Sequence, residues 1–377
     1  MNILINCSNL KQGGGLQVAD SVCKQLLQFS HLQFVVVCSP YLKDTARAVS
    51  KYSNVVVREY GIKYTPWLLL TGRDNVLDDL VEEYQVDKVL TIFGPSWWVP
   101  RVPHLCGFAS SQITPQDSPF YSLKLPFKFR LHEWLRNGML RSYYRRCSNN
   151  LYSENESVSK ALRSLYPKKK VYTVTNFYNQ VFDKPEDWIE HTLPKYDGVS
   201  LLTVANLYPH KNLGITLGII NYIKRKHPDF KFRFVISVAK EDFINAYGDR
   251  YNEEMSEHFL FLGTVKIAEC PSLYKQCDIE FQPTLLESFT ATFPEAMRMG
   301  MPIVTTDLAF ARQLCGDAAC YYDALKTEDA AEAIYRVATD KEYASSLVEK
   351  GRKQLLFYDT YEQRAEKLID IVQEINN

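Results

Sequence analysis

Two glutamates, Glu287 and Glu295, are separated by seven residues. Residues 279–283 before them predict a short buried strand that ends at a proline, and residues 294–299 predict a short helix. Glu287 would then lie on a loop beyond a strand's carboxyl end, and Glu295 in the first turn of a helix. Open α/β sheets bind their ligands at this edge, so both carboxylates are predicted to flank a ligand.

The residues between the two glutamates indicate the kind of ligand. The backbone N–H groups of Phe289, Thr290 and Ala291 precede the predicted helix. A helix N-terminus favours an anion such as a diphosphate. Carboxylates on either side of a diphosphate can hold sugar hydroxyls at both ends of a nucleotide sugar.

A lysine near another predicted helix start suggests a second phosphate contact. Lys211 follows the predicted strand 199–205 and precedes the predicted helix 212–226. The helix macrodipole disfavours a cation there, but a bound diphosphate would remove the conflict. The alternative is an exposed lysine in a loop.

Three glycines, residues 13–15, separate the first predicted strand from the first predicted helix. Without Cβ atoms, Gly14 and Gly15 would let the backbone pass close to a ligand. The spacing is neither a dinucleotide fingerprint nor a Walker loop. A plain strand–helix turn is the alternative.

Residues 287–297 (ESFTATFPEAM) and 300–304 (GMPIV) resemble the signature of retaining glycosyltransferases with the GT-B fold. The resemblance is to family 4, the glycosyl transferases of group 1, and covers most of the C-terminal half. It implies an α/β fold with two Rossmann-like domains facing across a cleft. It also implies transfer of a sugar from a nucleotide-diphosphate sugar to a hydroxyl acceptor with retained configuration, without a bound metal or other cofactor.

The resemblance implies catalytic roles for Glu287, which would position the transferred sugar, and Lys211, which would stabilise the departing diphosphate. It places the ribose hydroxyls on Glu295 and the base near Thr264 and Val265. The full set of implied donor-binding residues is Gly14, Gly15, Asn206, Lys211, Thr264, Val265, Phe289, Thr290, Ala291 and Glu295.

The chain departs from the family pattern at two places. Asn206 stands where an arginine usually shares the diphosphate with the lysine, and Phe108 and Ala109 stand where a His-Asp pair is common. His104, inside a predicted strand, is interpreted as a structural histidine. A non-catalytic GT-B protein, which binds nucleotide sugar or partners an active transferase, is therefore the alternative function.

The 377 residues predict two domains, and alternating strands and helices predict parallel sheets. Residues 1–178 are predicted to form an acceptor-binding domain and residues 179–360 a donor-binding domain. By family resemblance, residues 361–377 form a helix that crosses back to the first domain.

The segment 123–146 combines aromatic residues with seven basic residues, including Lys124, and one acid. Lys128, Arg130, Trp134 and Arg136 are predicted to form an acceptor-binding or anionic membrane surface. The alternative is an ordinary helix that packs its aromatics on its own domain.

Composition limits the partners. The 44 basic and 44 acidic residues cancel, which argues against nucleic acid. Apolar runs are too short to span a bilayer, and we expect no secretion leader because the sequence opens on a predicted strand. Nine scattered cysteines without a Cys-x-x-Cys pair predict neither disulfides nor a metal site. We expect a cytoplasmic enzyme at the inner face of the membrane, with a UDP- or GDP-linked sugar and a glycan or lipid-linked acceptor, acting in polysaccharide or lipid-linked glycan assembly.

Overall fold

The computed structural model describes residues 1–114, 118–123 and 126–376, so Lys124 lies outside the described residues. The chain forms two compact units. Of the described residues, the first unit contains 1–114, 126–177 and 359–376, and the second contains 118–123 and 178–358.

One segment departs from the predicted division. Residues 118–123 were expected in the first domain but belong to the second unit. Ser118 Oγ donates a hydrogen bond to the Leu285 carbonyl at 2.6 Å, and the Phe120 ring meets the His210 ring edge-on with centroids 6.0 Å apart. These contacts are between residues far apart in sequence, and no local pattern encodes them.

Seven parallel strands form the sheet of the first unit, in the order β3-β2-β1-β4-β5-β6-β7. Most of their apolar residues are buried, on both faces, as expected for a parallel sheet covered by helices. The strands are β1 (Asn2–Cys7), β2 (Gln33–Cys38), β3 (Val55–Glu59), β4 (Lys88–Thr91), β5 (His104–Phe108), β6 (Asn150–Ser153) and β7 (Lys170–Thr173).

Six parallel strands form the sheet of the second unit, in the order β10-β9-β8-β11-β12-β13. The strands are β8 (Val199–Thr203), β9 (Phe232–Ile236), β10 (Phe259–Phe261), β11 (Ile279–Gln282), β12 (Ile303–Thr306) and β13 (Ala319–Tyr322). The two parallel sheets confirm the predicted α/β class.

Helices connect the strands in both units. Those of the first unit are α1 (Gly14–Cys23), α2 (Lys43–Val49), α3 (Pro66–Thr71), α4 (Asn75–Glu83), α5 (Phe127–Arg146) and α6 (Glu156–Leu165). Those of the second are α7 (Ile215–Lys226), α8 (Lys240–Tyr247), α9 (Cys270–Gln276), α10 (Thr292–Met299), α11 (Ala309–Cys315), α12 (Thr327–Thr339) and α13 (Lys341–Gln354). No helix within the described ranges is long and apolar enough to cross a bilayer.

The last helix, α14 (Tyr361–Glu374), belongs to the first unit. It begins at a capping box in which Thr360 and Gln363 satisfy each other's backbone N–H groups. Its apolar face enters the core that surrounds β1 and β2. Lys88 Nζ donates to the Gln373 carbonyl at 2.6 Å, which holds the end of the helix on the sheet.

A charged side chain of α14 is buried in the same unit. Arg364 donates through Nη2 to Ser21 Oγ at 2.6 Å and through Nη1 to Asn176 Oδ1. Glu154, which follows β6, is also buried, and its burial raises its pKa to about 8 although Arg364 opposes the shift. Burial lowers the pKa of Arg364 to about 10. Glu154 is therefore mostly neutral at pH 7 while Arg364 is charged.

We expect Glu154→Gln to make the first unit less sensitive to alkaline pH. The folded protein keeps a proton that the unfolded chain loses near pH 4.5, so the free energy of unfolding falls as pH rises from about 4.5 to 8. The slope approaches about 1.4 kcal/mol per pH unit. Thermal unfolding at pH 6 and pH 8.5 should show a smaller loss of Tm for the variant than for the wild type.

Glu156→Gln is the control for this experiment. Hydrogen bonding to Arg163 lowers the pKa of Glu156, so this carboxylate stays ionised across the window. An equal pH dependence of Tm in wild type and Glu154→Gln would show that Glu154 does not titrate in this range.

Candidate functional site

The predicted site residues of the second unit lie at the carboxyl edge of its sheet. Strands β8 and β11 are neighbours, with Ile279 paired with Leu201. The loop after β8 carries Asn206 and Lys211, and the loop after β11 carries Glu287. Neighbouring parallel strands therefore place the two predicted catalytic residues on adjacent loops.

A tight turn positions Lys211. Pro209–Lys211 form a 3₁₀ turn, and Asn212 then adopts the left-handed conformation with φ of 53°. Helix α7 begins only at Ile215, three residues later than predicted. Lys211 therefore lies in the turn before the helix, away from the first helical residues.

Lys211 and Glu287 contact each other. Lys211 Nζ donates to Glu287 Oε1, and both side chains are largely buried. Thr284 Oγ1 lies 2.9 Å from the same carboxylate oxygen. The His210 carbonyl joins the two loops, because it accepts from the Leu285 N–H at 2.7 Å and lies 3.2 Å from Thr284 Oγ1. A buried cation and a buried carboxylate thus share one polar centre.

Glu295 lies in the first turn of α10 and is only 1% exposed. The helix begins at Thr292, two residues before the predicted start, and Gly300 ends it in the left-handed conformation. Tyr274 Oη, on α9, donates to Glu295 Oε2 at 3.1 Å. Tyr274 therefore fixes the orientation of this carboxylate, a role that no sequence pattern indicated.

The N-terminus of α10 offers backbone donors. Ala291 occupies the N-cap position with a helical conformation, and no side chain caps the helix. Phe289 and Thr290 are buried just before it. The first N–H groups of a helix have no partner inside the helix and carry a positive partial charge, which favours an anion.

Polar side chains are also buried beneath α10. Glu280 in β11 is fully buried, and burial raises its pKa well above the usual range; the negative charge of Glu295 acts in the same direction. Gln282 Nε2 donates to Thr292 Oγ1 at 3.1 Å, and Thr290 Oγ1 lies 3.1 Å from the same oxygen. Burial therefore favours the neutral form of Glu280, which adds no second charge beside Glu295. The sequence feature that could have indicated these buried polar residues is the glutamate inside a predicted buried strand.

The remaining predicted donor residues of this unit lie on loops. Asn206 is exposed after β8, where its carbonyl accepts from the Tyr208 N–H at 2.9 Å. Thr264 is exposed and Val265 is half-buried after β10. Gly263 before them has φ of 69°, a conformation that favours glycine.

The glycine loop lies in the first unit, where Gly14 is the first residue of α1. Gly13 requires glycine because its φ is 70°. A Cβ at Gly15 would lie 3.2 Å from the Leu10 side chain, whereas a Cβ at Gly14 would meet nothing within 4 Å. Packing inside the unit thus does not require glycine at Gly14.

Of the two departures at the end of β5, Phe108 has a structural role and Ala109 is exposed. Phe108 is buried and packs on Tyr144 with ring centroids 4.7 Å apart. Buried His104 lies 2.9 Å from Thr91 Oγ1 through Nε2 and 3.0 Å from the Cys147 carbonyl through Nδ1. Burial lowers its pKa to about 4. The interpretation of His104 as a structural histidine is confirmed.

Residues 127–146 of the basic segment form helix α5. Lys128, Arg130 and Trp134 are exposed on it. Arg136 is less exposed than these three residues, and its Nη2 contacts Glu133 Oε2 at 2.5 Å in a partly buried ion pair.

A cavity of about 840 Å³ lies further along the carboxyl edge of the second sheet, after β12 and β13. Its charged lining consists of Asp307, Asp323, Lys326, Asp329, Glu332 and Arg336. The excess of acids disfavours a diphosphate there. Among the described residues, no group of three or more His, Cys, Asp or Glu side chains could hold a metal ion.

Residues 186–354, which include both glutamates and Lys211, match the family model described as "Glycosyl transferases group 1". This match covers less than half of the chain, and the two parallel-sheet units have the GT-B fold.

Solved structures share this fold over the whole chain. A glycosyltransferase from Rickettsia africae is 15% identical, with a TM-score of 0.69 over 99% of this chain and 98% of that one. Sucrose-phosphate synthase from Thermosynechococcus elongatus is 12% identical, with a TM-score of 0.69 and the same coverage. Anabaena HepE in complex with UDP and glucose is 13% identical, with a TM-score of 0.69 over all of both chains. No curated protein sequence matches significantly.

Proposed function

We propose that this chain is a retaining hexosyltransferase of family 4 that transfers a sugar from a UDP- or GDP-linked donor to a hydroxyl acceptor. The observation that carries the proposal is the contact between Lys211 and Glu287 at the carboxyl edge of the second sheet. A similar fold in Anabaena HepE accommodates UDP and glucose, which supports a nucleotide sugar as donor.

Lys211 and the backbone donors before α10 would bind the donor diphosphate. The ammonium group neutralises charge as the bond between the anomeric carbon and the diphosphate oxygen breaks. The N–H groups of Phe289, Thr290 and Ala291 add donors beside it. Asn206, on the same loop as Lys211, would contribute an amide hydrogen bond where the family usually has an arginine. In this proposal Lys211 supplies the positive charge, and no metal or other cofactor is required.

Glu287 would accept hydrogen bonds from the hydroxyls of the transferred sugar. Its Oε1 atom already binds Lys211, so one carboxylate links the sugar to the cation that serves the leaving group. The acceptor oxygen would form its bond on the face that the diphosphate leaves, and the departing phosphate oxygen would take the acceptor proton. This route retains the configuration at the anomeric carbon and needs no separate general base.

Glu295 would accept the ribose hydroxyls, with Tyr274 holding the carboxylate in place. The base would contact the backbone near Thr264 and Val265. A glycan or lipid-linked acceptor in polysaccharide or lipid-linked glycan assembly, on the cytoplasmic side of a membrane with peripheral contact to anionic lipid, completes the proposal.

A non-catalytic nucleotide-sugar binder is the second candidate. Two observations favour it: Asn206 supplies no charge beside Lys211, and Phe108 is part of the core where a His-Asp pair is common in the family. Such a protein would bind the donor without releasing nucleotide.

Titration with a panel of UDP-, GDP- and ADP-sugars tests both candidates, with thermal stability and released nucleotide as readouts. Stabilisation by one nucleotide series together with nucleotide release supports the transferase. Stabilisation without release, even with a range of glycan acceptors, supports the binder. No stabilisation by any sugar nucleotide would contradict both.

We expect Glu295→Ala to raise the Kd for the nucleotide about tenfold or more, because hydrogen bonds to a charged group contribute roughly 1.5–3 kcal/mol. Tyr274→Phe should raise the Kd less, since the carboxylate remains but loses its positioning partner. Isothermal titration with the free nucleoside diphosphate measures both effects.

Glu342→Ala, on the exposed first turn of α13, is the matched control and should leave the Kd unchanged. An unchanged Kd in folded Glu295→Ala would remove this carboxylate from the donor site.

A further inference from the structure

Large apolar side chains are exposed on two helices of the first unit, α3 and α5. They are Trp67, Leu70, Phe127, Leu131, Trp134 and Leu135. Phe127 is 76% and Trp134 71% exposed. Apolar residues exposed in such concentration indicate an interaction surface.

Helix α5 has apolar side chains on opposite sides. Leu140, Tyr143 and Tyr144 are buried in its own unit. The exposed Phe127, Leu131, Trp134 and Leu135 follow an i, i+4, i+7, i+8 spacing, which places them on one face of the helix. A surface helix without a binding partner normally has polar residues on its exposed face. The apolar residues on the exposed face of α5 therefore indicate that this face binds a partner.

Helix α3 adds to the same surface. Arg146 at the end of α5 donates through Nη1 to the Leu70 carbonyl at 3.0 Å, which joins the two helices. Trp67 and Leu70 are exposed on this short helix. We call the exposed side of these two helices the α3–α5 surface.

Cations surround the apolar residues of the α3–α5 surface. Lys128, Arg130, Arg141, Arg145 and Arg146 are all exposed on α5. The only acid of the helix, Glu133, is paired with Arg136. The whole chain has a formal net charge of zero, so this positive charge is a local feature.

We propose that the α3–α5 surface binds an anionic membrane, with its apolar residues in the headgroup region and its cations on lipid phosphates. Tryptophan is favoured at this depth, and a helix with apolar and basic residues on its exposed side lies in the plane of the interface. The alternative occupant, a second copy of this chain in a two-fold dimer, would bring the basic helices together and is disfavoured by like charge. The proposal deepens the membrane contact of the proposed function and rests on it. Vesicle binding needs no nucleotide sugar, so it can fail or succeed separately from sugar transfer.

Sedimentation with lipid vesicles tests the proposal without any sugar donor. We expect the wild type to bind vesicles that contain phosphatidylglycerol, to bind pure phosphatidylcholine vesicles weakly, and to lose binding at high salt. Arg130→Gln/Arg141→Gln should weaken binding on the order of tenfold or more, since each basic residue near an anionic surface strengthens it roughly fivefold. Phe127→Ser/Trp134→Ser should weaken binding to a similar or greater extent.

The second unit supplies a matched apolar control. Leu356 and Phe357 are 83% and 81% exposed, so Leu356→Ser/Phe357→Ser removes equally exposed apolar area elsewhere. This variant should bind vesicles like the wild type. Lys350→Gln/Lys353→Gln on α13 is the corresponding charge control.

Circular dichroism and Tm would verify that every variant is folded. Two results would overturn the proposal. One is a wild-type protein that does not bind anionic vesicles, and the other is equal vesicle binding by the α3–α5 variants and their control variants. A wild-type dimer in sedimentation equilibrium that Phe127→Ser/Trp134→Ser dissociates, without any vesicle binding, would instead assign the surface to a second copy of the chain.

Discussion

Replacing Lys211 with methionine is expected to lower the rate of sugar transfer by roughly two to three orders of magnitude. Removal of one preorganised group that stabilises developing charge commonly has an effect of this size. Methionine keeps much of the length of the side chain but cannot neutralise the departing diphosphate. Steady-state kinetics with saturating donor should show the loss in kcat.

The contact with Glu287 complicates the interpretation of this variant. Without Lys211 the largely buried Glu287 carboxylate loses its cation, which is itself destabilising. The double variant Lys211→Met/Glu287→Gln removes both charges, so we expect it to recover Tm but not activity. If activity returned with stability, the role of Lys211 would be structural.

Lys224→Met is the matched control, because Lys224 also pairs with a glutamate, Glu257, but on the exposed last turn of α7. Its kcat should equal that of the wild type. A Lys211→Met variant that keeps near wild-type kcat would contradict the assigned role at the leaving group.

Replacing Glu287 with glutamine is expected to lower transfer about a hundredfold, or about 3 kcal/mol of barrier. The amide keeps the shape of the side chain but loses the charge that attracts the sugar hydroxyls and holds Lys211. The Kd of the free nucleoside diphosphate should change little, because the nucleotide itself does not contact this carboxylate in the proposed arrangement. Kinetics and titration calorimetry on the same preparation separate the two quantities.

Glu257→Gln, which alters the surface partner of Lys224, is the corresponding control. Unchanged turnover in folded Glu287→Gln would exclude Glu287 from the catalytic residues. A rise in nucleotide Kd that accounts for the whole loss would place Glu287 in donor binding instead of in the transfer step.

Short-range patterns predicted the elements around the site well. The strand–loop–helix arrangement at Glu287 and Glu295 was correct because a proline and a left-handed glycine delimit it locally. The α/β class was predicted from the alternation of strand and helix patterns along the chain, and both sheets confirm it. The start of α7 was placed too early, since the left-handed Asn212 has no reliable signature in a single sequence.

Contacts between segments that are distant along the chain could not be predicted from the sequence. Tyr274 reaches Glu295 across 21 positions, and Ser118 reaches Leu285 across 167. The resemblance to a family indicated candidate donor-binding residues but not which neighbours hold them. For α5, the sequence indicated helical spacing and positive charge, and only the fold shows which apolar residues face inward.

The placement of α14 has a consequence for how the protein is made. Ala365, Leu368, Ile369 and Val372 are part of the core around β1 and β2, and Arg364 binds Ser21 near the other end of the chain. Residues 178–358, the bulk of the second unit, leave the ribosome before α14 does. The first unit to be synthesised is therefore the last to be completed, and its nascent sheet must wait, with part of its apolar surface uncovered, for the final helix.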